Sequence, residues 1–370
     1  MGFFKDLGKK LEEARRLAEE LQQQAQEQAQ KLGQQAGVPI PGAPAQPPGT
    51  GAPGQPAWGG QPAQEARGGA APAPTMAPGE REPARRSPPP ARFGPDELAR
   101  RLGTTVDALR AVQPDYTAFS IPKRSGGQRR ILAPDPVLKS LQRQVLRRVL
   151  GRLRAHPAAM GFERGRSIVT HARGHSGRAV VVHMDIQDFF PSTRAVTVRE
   201  YFRQLGWDDA AVDLLAKLTV WEGSLPQGAP TSPRLANLVN RRLDARLAGK
   251  AARLGATYTR YADDITFSFP TADPKAVIDA IRLTRDTVAR EGYALHLRRK
   301  LHVRKQHQRQ LVTGLVVNRG VGLPRERRRW LRAVEHHLST GKPATLTQAQ
   351  LAGWYALAHM IETQRNAPPS

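Results

Sequence analysis

Asp263 and Asp264 stand side by side between two short runs rich in β-branched and aromatic residues, 257–261 and 265–269, which read as the strands of a hairpin. Adjacent carboxylates at a hairpin tip repel one another, and a divalent cation would neutralise them. Asp-Asp is also common in ordinary turns, so the pair alone decides little. A third carboxylate, Asp185, ends an apolar stretch at 178–184 that reads as a buried strand. Set opposite Asp263 and Asp264 on a neighbouring strand, Asp185 would let them hold two cations about 3.5–4 Å apart, the arrangement for in-line phosphoryl transfer. The backbone carbonyl of Ile186 would add a further ligand. An all-oxygen set without His or Cys suits Mg2+, with Mn2+ as a substitute.

The elements that position these residues follow from caps and periodicity. Two short helices, 95–102 and 104–112, open the folded sequence. Residues 116–134 read as a basic hairpin with its tip at 125–127, either a phosphate grip or an ordinary solvated turn. Asp135 caps a helix with Pro136 at its first position. Val137, Leu138, Leu141, Val145, Leu146, Val149, Leu150 and Leu153 mark one face of that long helix, and Lys139, Arg143, Arg147, Arg148 and Arg152 the other. A loop or broken helix at 162–176 precedes the Asp185 strand, and helices at 194–206 and 208–219 follow it. A loop at 225–233 is capped by Ser232 into a helix running to about 252. Beyond the Asp263–Asp264 hairpin come a helix at 274–291, strands at 294–298 and 311–317, and helices at 324–338 and 347–363. The fold class expected is mixed α/β, an antiparallel sheet with helices.

Composition narrows the partners. With 57 Lys and Arg against 32 Asp and Glu, the net charge of +25 makes a polyanion the default partner, nucleic acid or an anionic membrane. No apolar run approaches the roughly 18 residues that would span a bilayer, and no signal-peptide pattern opens the chain. Without Cys there is neither disulfide nor thiolate site, and a cytoplasmic protein is the simplest fit. The 31 Pro and 33 Gly are unevenly spread, 15 and 11 of them falling in 33–92, a stretch too poor in aliphatics to fold, read as a disordered linker. Before it, Leu7, Leu11, Ala14, Ala18, Leu21 and Ala25 line an amphipathic helix within 1–32. It could dock on a partner helix, lie on a membrane or be a solvated arm.

The basic hairpin, the strand-borne Asp-x-x-x-x-Phe, Leu-Pro-Gln-Gly-x-x-x-Ser-Pro, Tyr-Ala-Asp-Asp and a basic strand occur in the order found in reverse transcriptases. The chain resembles that family from about 116 to 317, with the blocks in the family's order. The resemblance implies a right-hand polymerase with fingers and palm over 93–317 and a helical thumb over 318–370. It makes Asp185, Asp263 and Asp264 the catalytic metal ligands and puts Phe190 where a 2′-hydroxyl is excluded. It has Gln227 and Gly228 line the nucleotide, and Lys123 and Arg129 grip its triphosphate. Tyr261 would pack under the primer terminus. Either Lys300 or Arg299 would protonate the leaving pyrophosphate; the family's usual Asn before that basic residue is His296 here.

Within the family the chain is most similar to retron reverse transcriptases. His171-Ala-Arg-Gly-His175 stands where these carry Asn-Ala-x-x-His, and Val312-Thr313-Gly314 matches their Val-Thr-Gly. The resemblance implies a structured non-coding RNA as template and primer, 2′-OH priming, branched RNA–DNA (msDNA) built from dNTPs, an effector protein and antiphage defence. RNA contacts would fall to His171, His175, Val312, Thr313, Gly314, Arg325, Arg328 and Arg332. A zinc site at His171 and His175 is disfavoured for want of a third ligand, and a structural role for them stands level with RNA positioning. Two other functions compete: a defence or diversity-generating reverse transcriptase with another primer, and a non-catalytic RNA-binding protein on the same fold. The presence of all three carboxylates weighs against the last.

Overall fold

In the computed structural model the described residues are 92–123, 126–296 and 300–365; the helix and linker expected before residue 92 lie outside them. Helix α1 (Pro95–Leu102) takes Pro at its first turn and ends on Gly103 in the left-handed region; α2 (Val106–Ala111) is capped by Thr105. Strands β1 (Tyr116–Pro122) and β2 (Gln128–Pro134) pair antiparallel as the expected basic hairpin.

Asp135 caps α3 (Pro136–Gln144) by accepting from the backbone N–H groups of Val137 and Leu138. The long helix expected to reach Leu153 instead widens into a π turn, Val145–Val149, and stops. Gly151 permits that exit, since a Cβ there would lie 2.6 Å from the Arg147 carbonyl oxygen. Val137, expected on the apolar face, is exposed. Where a loop or broken helix was expected, Ser167 and Thr170 form a reciprocal capping box and start α4 (Ile168–Arg173).

Strand β3 (Val180–Asp185) is the centre of the site's sheet. The short turn α5 (Phe189–Ser192) and helices α6 (Ala195–Gln204) and α7 (Asp209–Thr219) follow. The single helix expected to reach about 252 is two, α8 (Ser232–Val239) and α9 (Arg241–Arg253). They meet at Asn240, whose amide donates to the Ala236 carbonyl and the Tyr293 hydroxyl. Strands β4 (Thr257–Tyr261) and β5 (Asp264–Phe269) form the carboxylate hairpin, and α10 (Pro274–Arg290) is capped by Asp273. Of the strand expected near 294–298, residues 294–296 are described and bridge Ile186 through Leu295, the rest lying outside the described residues; β6 (His302–Lys305) follows. The one expected at 311–317 is a tight hairpin, β7 (Leu311–Val312) and β8 (Leu315–Val316), turning through Thr313 and Gly314 at positive φ. Helices α11 (Arg325–Ser339) and α12 (Gln348–Arg365) complete the described chain.

The sheet runs β4-β5-β3-β6, antiparallel throughout. Alternation sends Val180, Val182 and Met184 of β3, with Ile265, Phe267 and Phe269 of β5, into the main core beneath α9 and α10. Each such side chain contributes roughly 1.5–3 kcal/mol by burial. The opposite parity carries Val181 into a second cluster with Val169, Val312, Leu315 and Ile361, and at the strand's end presents Asp185. A third cluster joins α11 to α12 through Leu331, Val334 and Leu351, with Trp330 and Trp354 edge to face against it.

Candidate active site

The register of β3 against β5 sets Asp185 directly opposite Asp264, so both side chains leave the same face of the sheet. Asp263 sits at the turn, where its carbonyl accepts from the Ile186 N–H at 2.9 Å. Burial first, and then the Asp185 and Asp264 carboxylates, push Asp263 above the ordinary carboxylate range. Lys300 Nζ donates to Asp185 Oδ1 at 2.6 Å, and His296 Nε2 lies 3.8 Å from the same oxygen. Asp264 Oδ1 is 3.4 Å from His183 Nδ1. Among the described residues no three His, Cys, Asp or Glu side chains converge as a ready-made metal cage. Asp185 and Asp264 are directed to Lys300 and His183 instead. The donors still fit a hard divalent cation: they are oxygen-only, and the elevation of Asp263 by its like-charged neighbours is the penalty a cation would relieve.

Asp185 and Asp263 line a cleft of about 740 Å³ with Lys123 and Arg129 of the basic hairpin and with Phe190, Gln227, His296 and Lys300. Sequence reading placed these residues together, and the fold does so. Arg299, the alternative to Lys300, lies outside the described residues. Gly228 is pressed on β2: a Cβ there would come within 2.5 Å of the Leu132 carbonyl oxygen, and its φ of 130° excludes most side chains. The Leu132 N–H donates to the Gln227 carbonyl at 2.8 Å, and the buried Ser232 hydroxyl donates to the Pro226 carbonyl at 2.7 Å. The loop is thereby fastened to the hairpin that carries Arg129.

The expected RNA contacts divide. His171 and His175 are both 0 % exposed and cannot reach an RNA. His175 bridges Ser268 Oγ and Thr259 Oγ1, each at 2.7 Å, and His171 Nε2 lies 2.7 Å from the same Thr259 oxygen. Burial drives the His171 pKa down to about 4 and that of His175 well below its ordinary value, so both stay neutral. They brace the underside of the carboxylate hairpin. Val312 is likewise a core residue, and the half-buried Thr313 donates its hydroxyl to the Ile168 carbonyl, so of Val-Thr-Gly only Gly314 is exposed. For His171, His175 and Val312 the assignment to RNA contact is corrected, because packing uses their side chains. Arg325, Arg328 and Arg332 are exposed along one side of α11 and line a second cleft of about 1370 Å³ with Arg173, Arg309 and Arg319.

One functional cluster escaped the sequence reading. Arg260 and Asp244 form an ion pair with both side chains 0 % exposed. Arg260 donates to both Asp244 oxygens, at 2.8 and 2.6 Å, and to the Ala262 carbonyl at 2.9 Å. Ala262 has φ +57°, so the guanidinium holds the strained residue on which the Asp263 turn depends. Strand alternation carried a signal: Arg260 shares the parity of Tyr258, a core residue.

The reverse transcriptase (RNA-dependent DNA polymerase) family profile matches residues 121–311. The chain is 39% identical over 311 residues to the retron Mx162 reverse transcriptase of Myxococcus xanthus, an alignment covering 72% of this chain and 64% of that relative. It is 38% identical over 297 residues to the retron Mx65 reverse transcriptase of the same organism, covering 73% and 69%. Against the retron Ec86 reverse transcriptase of Escherichia coli it is 34% identical over 252 residues, covering 67% and 77%.

Proposed function

Because the chain belongs to the retron-type reverse transcriptase family, we propose that it is an RNA-directed DNA polymerase copying a structured non-coding RNA. The observation that carries this is the in-register facing of Asp185 and Asp264 beside Asp263, at the mouth of a cleft walled by a basic hairpin. On this reading residues 93–317 are fingers and palm of a right-hand polymerase, and 318–370 its thumb. Asp185, Asp263, Asp264 and the Ile186 carbonyl would hold two Mg2+ ions. When bound, these ions supply the charge that activates the primer hydroxyl and offsets the leaving pyrophosphate.

The chain's own residues do the rest. Lys123 and Arg129 neutralise the triphosphate of the incoming dNTP, and Gln227 with the Gly228 backbone fixes the edge of the pair. The Phe190 ring fills the space a 2′-hydroxyl would need. Lys300, which donates to Asp185, or its neighbour Arg299 would give its proton to the pyrophosphate oxygen as the bond breaks. The finer reading is a retron polymerase that primes from an RNA 2′-hydroxyl, makes msDNA in the cytoplasm, and works with an effector in antiphage defence. Support for it is the identity to named retron enzymes.

Purification from cells carrying the native locus, followed by sequencing of the bound nucleic acid, tests it. A discrete RNA covalently joined to DNA, absent with Asp263→Asn, is expected. Ordinary cellular RNA without attached DNA would remove the retron reading. Failure of the wild type to extend a primed RNA template with Mg2+ would remove the polymerase.

A further inference from the structure

Phe162 presents a contradiction that folding alone does not resolve. Its ring is 51 % exposed, yet its backbone is held at φ +61°, a left-handed conformation that bulky side chains avoid. Nothing is gained for the core by this arrangement. The segment is nonetheless firmly fixed. Residues 158–160 pair with the outer edge of β4, where the Met160 N–H donates to the Arg260 carbonyl at 2.7 Å and the Arg260 N–H to the Ala158 carbonyl at 2.8 Å. The Asn237 amide donates to the Gly161 carbonyl at 2.6 Å and to Glu163 Oε1 at 2.9 Å, and Arg234 is ion-paired with Glu163. Gly161 packs so closely that a Cβ there would lie 3.1 Å from the Ala262 N.

The ring so displayed stands beside the carboxylate turn. Its centroid is 6.1 Å from that of Tyr261, which in turn stacks at 5.7 Å on the buried His171. A ladder of rings thus runs from the core to solvent next to Asp263. Arg164 and Arg166 follow in the same loop, both exposed. An exposed aromatic interleaved with arginines is the composition of a surface that stacks nucleotides and neutralises their phosphates. Backbone strain kept at such a place points to use.

Resting on the polymerase reading above, we propose that Phe162 is a nucleic-acid-contacting residue. Its ring, braced by Tyr261, packs on a nucleotide of the primed template held over the Asp263 turn, and Arg164 and Arg166 take flanking phosphates.

The test is fluorescence anisotropy of a labelled DNA primer on an RNA template with the full chain, paired with thermal melting. Phe162→Gly is expected to weaken binding on the order of ten-fold, from the loss of one stacked base. Its Tm should stay equal or rise, because Gly accepts the left-handed backbone. Phe162→Trp should bind within about two-fold of wild type, since any ring can stack. Arg164→Ala should instead lower the slope of log affinity against log salt by about one. Unchanged binding by Phe162→Gly would overturn the proposal. So would weakened binding accompanied by a Tm loss of several degrees, which would make the ring structural. A wild type that fails to extend this primed template counts against the polymerase reading, whereas one that extends it beside an unaffected Phe162→Gly variant overturns only the role of Phe162.

Discussion

Asp263 is raised by burial first and by Asp185 and Asp264 next, so at neutral pH its ionised form works against the fold. A carboxyl with a raised folded pKa binds its proton more tightly folded than unfolded. The stability this lends is present at low pH and is lost as pH rises through the folded value. Asp263→Asn should therefore melt higher than wild type at pH 7 in a chelator, by roughly 2–4 °C. The gap should close as pH falls toward about 4, and Mg2+ should stabilise the wild type more than the variant. A variant that melts lower at pH 7 would mean that Lys300 already offsets the repulsion. Arg260 poses the opposite case. Arg260→Met strands Asp244 without its cation in the core, which should cost about 3–5 kcal/mol in urea unfolding, and adding Asp244→Leu should recover much of that. A single-variant cost under about 1 kcal/mol would show that Tyr258, which donates to Asp244 at 2.8 Å, suffices alone. The carboxylates were legible from the company they keep: Asp185 ends an apolar strand, and Asp263 and Asp264 stand between two strand-like runs. Arg260 was not, since a strand arginine reads as surface until its parity is compared with Tyr258.

At the scale of elements, capping chemistry made starts legible and tertiary contacts decided ends. Asp135 before Pro136 and Asp273 before Pro274 cap the helices expected there. The break at Asn240 and the π turn at Val145–Val149 depend on Tyr293 and on the crowding at Gly151, partners distant in sequence or invisible to periodicity. For the imidazoles joining α4 to the β4–β5 hairpin the sequence left a structural role level with RNA contact, since a His four residues from another looks the same whether it faces RNA or Thr259. Their burial has a consequence for this joint. His171 is held neutral with its pKa lowered to about 4, so the stability it lends is complete above the ordinary imidazole value of 6.5. As pH falls toward 4 that stability is lost. Urea midpoints should drop across this window by an amount equivalent to roughly 3 kcal/mol at full protonation, and His171→Phe should flatten the drop. An identical pH profile in the variant would place the sensitivity elsewhere.

For the whole molecule, the charge of +25 announced a polyanion without saying where it would lie. The fold separates two basic regions. Lys123 and Arg129 face the carboxylate cleft, while Arg325, Arg328 and Arg332 of α11 meet Arg173, Arg309 and Arg319 around the larger one. The first set can grip a triphosphate and belongs with chemistry. The second shares no lining residue with the carboxylate cleft, and although Glu326, Glu335 and Glu362 also line it, these six arginines suit a backbone held by charge. Replacing Arg325, Arg328 and Arg332 together with Ala should then weaken binding of a long structured RNA and lower its salt slope by about 2–3, close to one per phosphate contact. These three are exposed on α11, so the melting temperature should hardly move. Extension of a short primed template, measured at saturating concentration, should keep its rate, because no side chain in the carboxylate cleft has changed. An equal loss of rate at saturation would join the two basic regions into one working surface, and an unchanged salt slope would take the α11 arginines out of RNA binding altogether.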